Sequence, residues 1–344
     1  MTTTIELEST ISKLATKGKG ILAADESTAT ITKRFQAIGI ESTEETRRTY
    51  REILMMTPGC NQFIAGVILF EETLNQKTSQ GTPFAEALKN AGILPGIKVD
   101  KGLVHLANTT NEQITQGLDG LAERLTEYKT KGACFAKWRA VYAISKTTPS
   151  ILAIKTNAEV LARYAAICQE QGIVPIVEPE VLIEGDHTLA RCEEASEPVL
   201  YALFNALYRH RVKLEYIVLK PSMIINGNTS TQKASVNEVA EATLRVLRRT
   251  VPGAVPTINF LSGGQAPEQS SAHLNAMNQL GNLPWNLSFS YARALQDYCM
   301  KTWAGQAKNI PAAQAAFYKR AKLNSLAAMG KYSEALEKEE VSHA

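Results

Sequence analysis

Eight short apolar runs recur along the sequence, and their spacing constrains the fold more than any other feature. Each run is rich in β-prone residues, and the runs occupy 20–25, 63–70, 96–100, 133–139, 173–180, 216–222, 257–264 and 286–293. Their carboxyl ends fall 29 to 45 residues apart, which leaves room for a crossover helix and its loops. Alternating strands and helices favour a parallel sheet, and eight such units favour a closed barrel.

The stretches between the runs carry helix signals. Asn157 is predicted to cap a helix that ends at Gly172, and Ser235 with Glu238 forms a capping box. Further helical segments are predicted over 5–17 and within 294–340. The sequence therefore predicts one α/β domain over residues 1–344, a (β/α)8 TIM barrel with an N-terminal helix, a helical C-terminal extension and a polar tail from about residue 333. A doubly wound open sheet is the alternative, but the first run lacks the glycine-rich turn of that fold.

Composition argues against several classes of protein. The 344 residues include 37 basic and 34 acidic side chains, for a net charge of +3. The basic residues do not cluster in a stripe, so nucleic-acid binding is not predicted. No stretch approaches the roughly 18 apolar residues of a membrane span. Five scattered cysteines without a CxxC motif are typical of a reducing compartment, so a cytoplasmic protein is expected. Five dispersed histidines predict no metal site, although three distant ones could still converge on zinc.

Charged residues stand at the carboxyl ends of runs that should be buried. The set comprises Asp25, Lys98, Asp100, Lys137, Arg139, Glu178, Glu180, Lys220 and Arg293. Because side chains alternate along a strand, Lys137 and Arg139 share one direction with Phe135, so each strand can point its charges into one cavity. The active site of such barrels lies at this rim. An ion-pair network that closes the barrel is the alternative, but the surplus of basic groups favours an anionic ligand.

Lys220 is the strongest single candidate for a catalytic residue. It ends the apolar run 216–222, which offers its side chain no route to solvent before that point. Desolvation and neighbouring cations favour the neutral amine, a nucleophile toward carbonyl carbon, and the resulting iminium withdraws electrons from the adjacent C–C bond. The alternative is a structural lysine that forms a salt bridge with Glu178 or Asp25.

A phosphate site is predicted after the seventh and eighth runs. Ser262, Gly263 and Gly264 allow backbone N–H groups to approach an anion, and Arg293 follows on the next run. A simple tight turn is the alternative for the glycine motif alone. Candidates for a second anion across the mouth are Lys98, Arg139, Lys33 and Arg34.

Seven segments in series carry a family resemblance. They are 20–27, 66–70, 96–102, 135–139, 175–180, 219–221 and 260–265, within a match from about residue 11 to 332. Together they resemble class I fructose-bisphosphate aldolase. The resemblance implies a tetrameric barrel enzyme without metal or cofactor. Its phosphosugar substrate, fructose 1,6-bisphosphate, is cleaved reversibly to dihydroxyacetone phosphate and glyceraldehyde 3-phosphate.

The resemblance also implies roles for single residues. By matching position, Lys220 resembles the Schiff-base lysine and Glu178 the acid/base that assists loss of the carbinolamine hydroxyl and then handles the aldol proton. Lys137 resembles the residue that balances charge, and Asp25 the carboxylate that orients Lys220 and the substrate hydroxyls. Glu180 matches a supporting carboxylate.

Two groups of substrate contacts follow in the same way. Ser262, Gly263 and Arg293 match the site for the phosphate on the ketone side. The positions that match contacts to the other end of the substrate are Lys98, Arg139, Ser27, Lys33 and Arg34.

The sequence departs from the family pattern at three places. After the first run it has Ser-Thr-Ala-Thr at 27–30 where the family usually has Ser-Thr-Gly-Ser, which bears on the second phosphate contact. Ala292 stands where the phosphate turn usually has glycine, which predicts a negative φ and a narrower approach to the phosphate. No tyrosine follows Tyr332, whereas many members end in a tyrosine that exchanges the enamine proton. The hypothesis is that Glu178, a substrate phosphate or His343 takes that role.

Two other functions stay open at this level. A lysine-dependent aldolase or transaldolase of another phosphosugar would share Lys220 and one phosphate site without needing Lys98 and Arg139. A non-catalytic scaffold is the third possibility, and the complete set of buried charged residues argues against it.

Overall fold

Eight parallel strands close into a barrel, as predicted, in the order β1-β10-β9-β8-β7-β6-β3-β2. The computed structural model describes residues 2–339. The barrel strands are β1 Gly20–Ala24, β2 Ile64–Leu69, β3 Leu94–Lys98, β6 Phe135–Tyr142, β7 Val174–Val181, β8 Val218–Leu219, β9 Thr257–Phe260 and β10 Asn286–Tyr291. A short antiparallel hairpin of β4 Leu103–His105 and β5 Gln113–Thr115, which the sequence pattern did not predict, follows β3.

Helices surround the barrel and extend it at both ends of the chain. Their bounds are α1 Thr2–Leu14, α2 Thr28–Gln36, α3 Glu44–Met55, α4 Glu71–Leu74, α5 Phe84–Asn90, α6 Leu121–Thr130, α7 Ile151–Glu170, α8 Leu189–Arg209, α9 Val236–Thr250, α10 Pro267–Leu280, α11 Arg293–Trp303 and α12 Ile310–Ala328. Short 3-10 turns lie at Cys60–Gln62, Leu214–Tyr216, Ala307–Asn309 and Glu334–Lys338. The predicted N-terminal helix and helical C-terminal extension are therefore both present.

The start of α7 differs from the prediction. Ser150 caps this helix, because its side chain accepts from the backbone N–H of Ala153, and Glu112 in turn accepts from the Ser150 backbone N–H at 2.7 Å. Asn157 lies buried inside the helix and donates to the backbone carbonyl of Gln113 at 2.9 Å. It therefore ties α7 to β5 rather than capping a helix.

Two other signals in the sequence are confirmed. Ser235 and Glu238 form the predicted capping box of α9, with the Ser235 backbone N–H donating to Glu238 at 2.7 Å. Gly172 follows the end of α7 at a φ of +71°, a left-handed conformation that favours glycine.

The polar tail packs against the protein as far as residue 339. Glu337 accepts hydrogen bonds from the buried Arg320 at 2.5 Å and from the Tyr332 hydroxyl at 2.9 Å. The last five positions of the predicted tail, and with them His343, lie outside the described residues.

The interior of the barrel is a compact apolar layer. Ile21, Ala23, Ile68, Phe135, Val174, Ile176 and Val218 form it, and Leu7, Ile11 and Leu14 of α1 cover it from the amino-terminal end of the strands. Phe135 fits there because Gly66 and Gly96 on the neighbouring strands leave room for its ring. A side-chain carbon on Gly96 would lie 2.2 Å from that ring.

Substitution of Gly96 by alanine should therefore destabilise the barrel by about 2–3 kcal/mol, since overpacking an interior typically has a cost of that size. Urea unfolding followed by circular dichroism measures the change. Gly253→Ala is the matched control, because that glycine is exposed and its nearest neighbour beyond the adjacent residues is Pro284 at 3.6 Å. Equal unfolding midpoints for the two variants would contradict this account of the interior.

Candidate active site

A cavity of about 600 Å³ opens at the carboxyl ends of the barrel strands. Eleven of the predicted site residues line it: Asp25, Ser27, Lys98, Lys137, Arg139, Glu178, Glu180, Lys220, Ser262, Gly263 and Arg293. These residues lie on or shortly after seven different strands. Closure of the barrel is what brings them together, because sequence separations between them reach more than two hundred residues.

Four buried side chains form a line of alternating charge at the base of the cavity. Lys220 Nζ lies 3.1 Å from Glu178 Oε1, and Glu178 Oε2 lies 2.9 Å from Lys137 Nζ. Lys137 Nζ donates to Asp25 Oδ2 at 2.9 Å. Each of the four residues is at most 7% exposed. The salt bridge between Lys220 and Glu178 is thus present, and Lys220 still faces a cavity large enough for a sugar phosphate.

The charges of this line stabilise one another. Burial alone raises the pKa of Asp25, but attraction to Lys137 and Lys220 outweighs it and lowers the pKa to about 2. The pKa of Glu178 is lowered for the same reason, again against the effect of burial. Burial opposes the charge on Lys137, yet Asp25 and Glu178 hold its pKa well above the usual value. At neutral pH the two carboxylates and Lys137 are therefore ionised.

The predicted phosphate turn has the geometry of an anion site. Gly263 and Gly264 have φ values of +53° and +84°, so the turn needs glycine at both positions. If residue 264 carried a side chain, its Cβ would lie 3.5 Å from a guanidinium nitrogen of Arg293, so the turn and Arg293 are close neighbours. Within residues 2–339, no carboxylate lies within ion-pair distance of Arg293. The turn and a free guanidinium therefore face the cavity together.

Ala292 also lines the cavity, directly before Arg293. Its φ is −101°, as predicted for a residue with a side chain at this position, and its ψ is −89°. Ala292 also packs against the apolar layer of the barrel interior.

The wall of the cavity across from the predicted phosphate turn holds cations that already have carboxylate partners. Lys98 Nζ donates to Asp100 Oδ1 at 2.6 Å and to the Asp100 backbone carbonyl at 3.0 Å. Arg139 donates through Nε to Glu180. Ser27 caps α2 and lines the same cavity together with Thr30.

Arg34 lies outside the cavity lining, and its contact with substrate stays a prediction. Its guanidinium donates to the buried carboxylate of Glu26, to Gln296 at 2.8 Å and to Asp297 at 3.0 Å. These partners lie outside α2 and hold both terminal nitrogens of the guanidinium. Lys33 is exposed and also lies outside the lining.

Sequence reasoning missed several residues that line the cavity. Lys101 follows Asp100 directly, and Glu26 follows Asp25. Ser290 lies on β10 and pairs with Ile21 of β1. Lys101 and Glu26 could have been predicted, because each directly follows a predicted or charged residue at the end of a strand. Strand alternation could have signalled Ser290, because an interior-facing serine is unusual in an apolar strand.

No group of three or more His, Cys, Asp or Glu side chains could hold a metal ion within the described part of the chain. In that same part, no helix is long and apolar enough to cross a bilayer.

Comparison with known proteins identifies relatives over nearly the whole chain. The family model of fructose-bisphosphate aldolase class-I matches residues 6–344. A probable fructose-bisphosphate aldolase class 1 of Xanthomonas campestris pv. campestris is 55% identical over 95% of this chain and 98% of its own. The cytoplasmic isozyme of fructose-bisphosphate aldolase from Spinacia oleracea is 56% identical over 95% of this chain and 92% of its own.

The fold comparison agrees with the sequence comparison. The co-crystal structure of fructose-bisphosphate aldolase from Plasmodium falciparum, in complex with TRAP and a small molecule inhibitor, matches with a TM-score of 0.95 at 50% identity. That match covers 97% of this chain and 96% of the other. The chain therefore belongs to the class I fructose-bisphosphate aldolase family.

Proposed function

We propose that this protein cleaves fructose 1,6-bisphosphate reversibly to dihydroxyacetone phosphate and glyceraldehyde 3-phosphate, through a Schiff base on Lys220. The observation that carries the proposal is the position of Lys220 Nζ. It lies at the base of the cavity, 3.1 Å from an ionised carboxylate, with a free phosphate turn on one wall and a row of cations on the other.

The first step needs a neutral amine. Glu178 is ionised and adjacent, so it accepts the proton from the Lys220 ammonium. The amine then attacks the ketone carbon and forms a carbinolamine. Glu178 returns the proton to the carbinolamine oxygen, water leaves, and an iminium remains on Lys220. Lys137 stays charged between Glu178 and Asp25, which keeps the negative charge of both carboxylates balanced while the proton moves.

The second step breaks the carbon–carbon bond between the third and fourth carbons of the sugar. Electrons from that bond flow into the iminium, and the fourth-carbon hydroxyl gives its proton to Glu178 as the aldehyde forms. Asp25 lines the same cavity and orients the substrate hydroxyls. The enamine is then protonated at carbon and hydrolysed, which releases dihydroxyacetone phosphate. Glu178 or the substrate phosphate supplies that proton; His343, the third candidate, lies outside the described residues.

The two phosphates hold the open-chain sugar in line across the cavity. The phosphate on the ketone side binds the turn of Ser262 and Gly263 together with Arg293. The other phosphate binds at the wall of Lys98 and Arg139, with Ser27 at the amino terminus of α2. Glu180 fixes Arg139 in position through its carboxylate.

Cleavage of another phosphosugar by the same lysine is the second candidate function. The second wall of cations favours a substrate with two phosphates, since a monophosphate would leave Lys98 and Arg139 without a ligand. A purely structural scaffold fits poorly, because four buried charges around an open cavity are unfavourable unless they serve chemistry.

Three further properties belong to this proposal. Catalysis without a metal follows from the iminium, which acts as the electron sink. A cytoplasmic location is supported by five free cysteines and by the cytoplasmic relative from spinach. A homotetramer is supported by family membership and by exposed apolar side chains on α7 and α8, among them Ile151, Tyr201 and Tyr208.

Replacement of Lys220 by alanine should reduce cleavage to the detection limit. Borohydride added together with substrate should reduce the iminium and leave a stable adduct, which peptide mass spectrometry assigns to Lys220 in the parent protein. Lys155→Ala is the control, because Lys155 is an exposed residue of α7. This variant should be as active as the parent and should carry the same adduct on Lys220. An adduct on any other lysine would remove the central assignment.

Replacement of Glu178 by glutamine keeps the size of the side chain but removes the proton carrier. We expect kcat to fall by roughly 10²–10⁴-fold, the usual contribution of general acid–base catalysis. The KM for the bisphosphate should change much less, because Glu178 touches no predicted phosphate site. Steady-state kinetics measure both, and a kcat within threefold of the parent value would be incompatible with the assigned role.

Exhaustive dialysis against EDTA should leave the cleavage rate unchanged, because the iminium on Lys220 replaces a metal as the electron sink. A coupled assay that detects dihydroxyacetone phosphate measures the rate before and after dialysis. Recovery of a lost activity by added zinc would instead favour a metal-dependent reaction.

A further inference from the structure

Lys101 is the least neutralised cation of the wall that faces the phosphate turn. Lys98 is held by two oxygens of Asp100 at 2.6 and 3.0 Å, and Arg139 is held by Glu180. Lys101 lines the same cavity, but its Nζ lies 3.4 Å from Glu71 Oε2, and the two side chains are 48% and 46% exposed. An exposed ion pair at this distance is weak and screened by water.

The two partners of this pair differ in mobility. Glu71 is held on its other oxygen by the hydroxyl of Tyr128 at 2.9 Å, and Tyr128 is buried. Burial raises the pKa of Glu71, but the hydrogen bond from Tyr128 and the charges of Lys101 and Arg124 outweigh it and hold the pKa below its usual value. Glu71 is thus a fixed, ionised anchor, whereas the lysine is free to turn.

The backbone of Lys101 is fixed, so only its side chain has to move. The Lys101 N–H donates to the Gln116 carbonyl at 2.8 Å, and the Gln116 N–H donates to the Gly102 carbonyl at 3.1 Å. These two bonds close the base of the β4–β5 hairpin. The lysine therefore stands on a rigid support at the edge of the cavity, with a flexible four-carbon chain that ends in a point charge.

We propose that Lys101 is a specificity-determining residue that leaves Glu71 to bind the phosphate farther from the ketone, while Glu71 sets its resting position. The inference rests on the proposed function. A phosphate dianion carries up to twice the charge of the carboxylate and offers three acceptor oxygens, so the exchange is favourable when a bisphosphate is present. A substrate that lacks this phosphate gives Lys101 no reason to leave Glu71.

The test compares fructose 1,6-bisphosphate with fructose 1-phosphate, which lacks the second phosphate. The parent, Lys101→Gln, Lys101→Arg and Glu71→Gln proteins are assayed for kcat/KM with each sugar. Lys131→Gln is the matched control, because Lys131 forms an exposed ion pair with Glu127 at 2.6 Å outside this cavity.

Lys101→Gln should lower the ratio of kcat/KM for the bisphosphate to that for the monophosphate by about tenfold, chiefly through the KM of the bisphosphate. Lys101→Arg should restore most of the ratio, and Glu71→Gln should raise it by two- to fivefold, because the competing carboxylate is gone. The control should keep the parent ratio.

Two results would overturn the proposal. One is a Lys101→Gln protein whose ratio of kcat/KM for the bisphosphate to that for the monophosphate stays within twofold of the parent ratio, even if both activities fall. The other is a Glu71→Gln protein with a lowered ratio, which would mean that Glu71 guides the lysine rather than competes for it. A parent protein that cleaves neither sugar would instead refute the proposed function, and this inference with it.

Discussion

The line of alternating charge from Asp25 through Lys137 and Glu178 to Lys220 is the interaction on which the site depends. Its members lie on β6 and β7 and directly after β1 and β8, and β1 lies across the barrel from β6 and β7. Each charge is buried and therefore stable only beside its neighbour of opposite sign. The line can form only if the barrel closes in the observed register, so the chemistry is tied to the fold as a whole.

The apolar layer below this line decides where the charges point. Ala23, Phe135, Ile176 and Val218 fill the barrel interior, and the charged residue two positions later on each strand faces the same way, toward the cavity. A shift of one residue in any strand would turn its charge outward among the helices. Packing of the interior thus fixes the geometry of the reacting groups, and the small residues Gly66 and Gly96 admit the one large ring in that layer.

The sequence was informative wherever a local pattern sets the result, and it failed where a distant partner decides. Strand alternation predicted the barrel and most of the lining, because burial acts on each strand separately. The partners of Arg34 could not be predicted, since only the folded chain brings Glu26 and Asp297 to its guanidinium. Asn157 resembled a cap because a sequence cannot show Glu112 and Ser150 at the true start of α7. The β4–β5 hairpin has three-residue strands, too short for a periodic signal.

The two walls of the cavity differ in a way that bears on substrate selection. The turn of Ser262 and Gly263 lines the cavity with Arg293, which has no carboxylate partner within residues 2–339, so the phosphate proposed to bind there would break no existing ion pair. On the other wall, Lys98 and Arg139 are already paired with carboxylates, and a second phosphate must compete with those carboxylates or be bound beside them. Under the proposed function, binding on the ketone side would therefore displace no carboxylate, and this would hold for every ketose 1-phosphate. Discrimination between such substrates has to arise on the opposite wall, where the net gain depends on how readily each cation exchanges its partner.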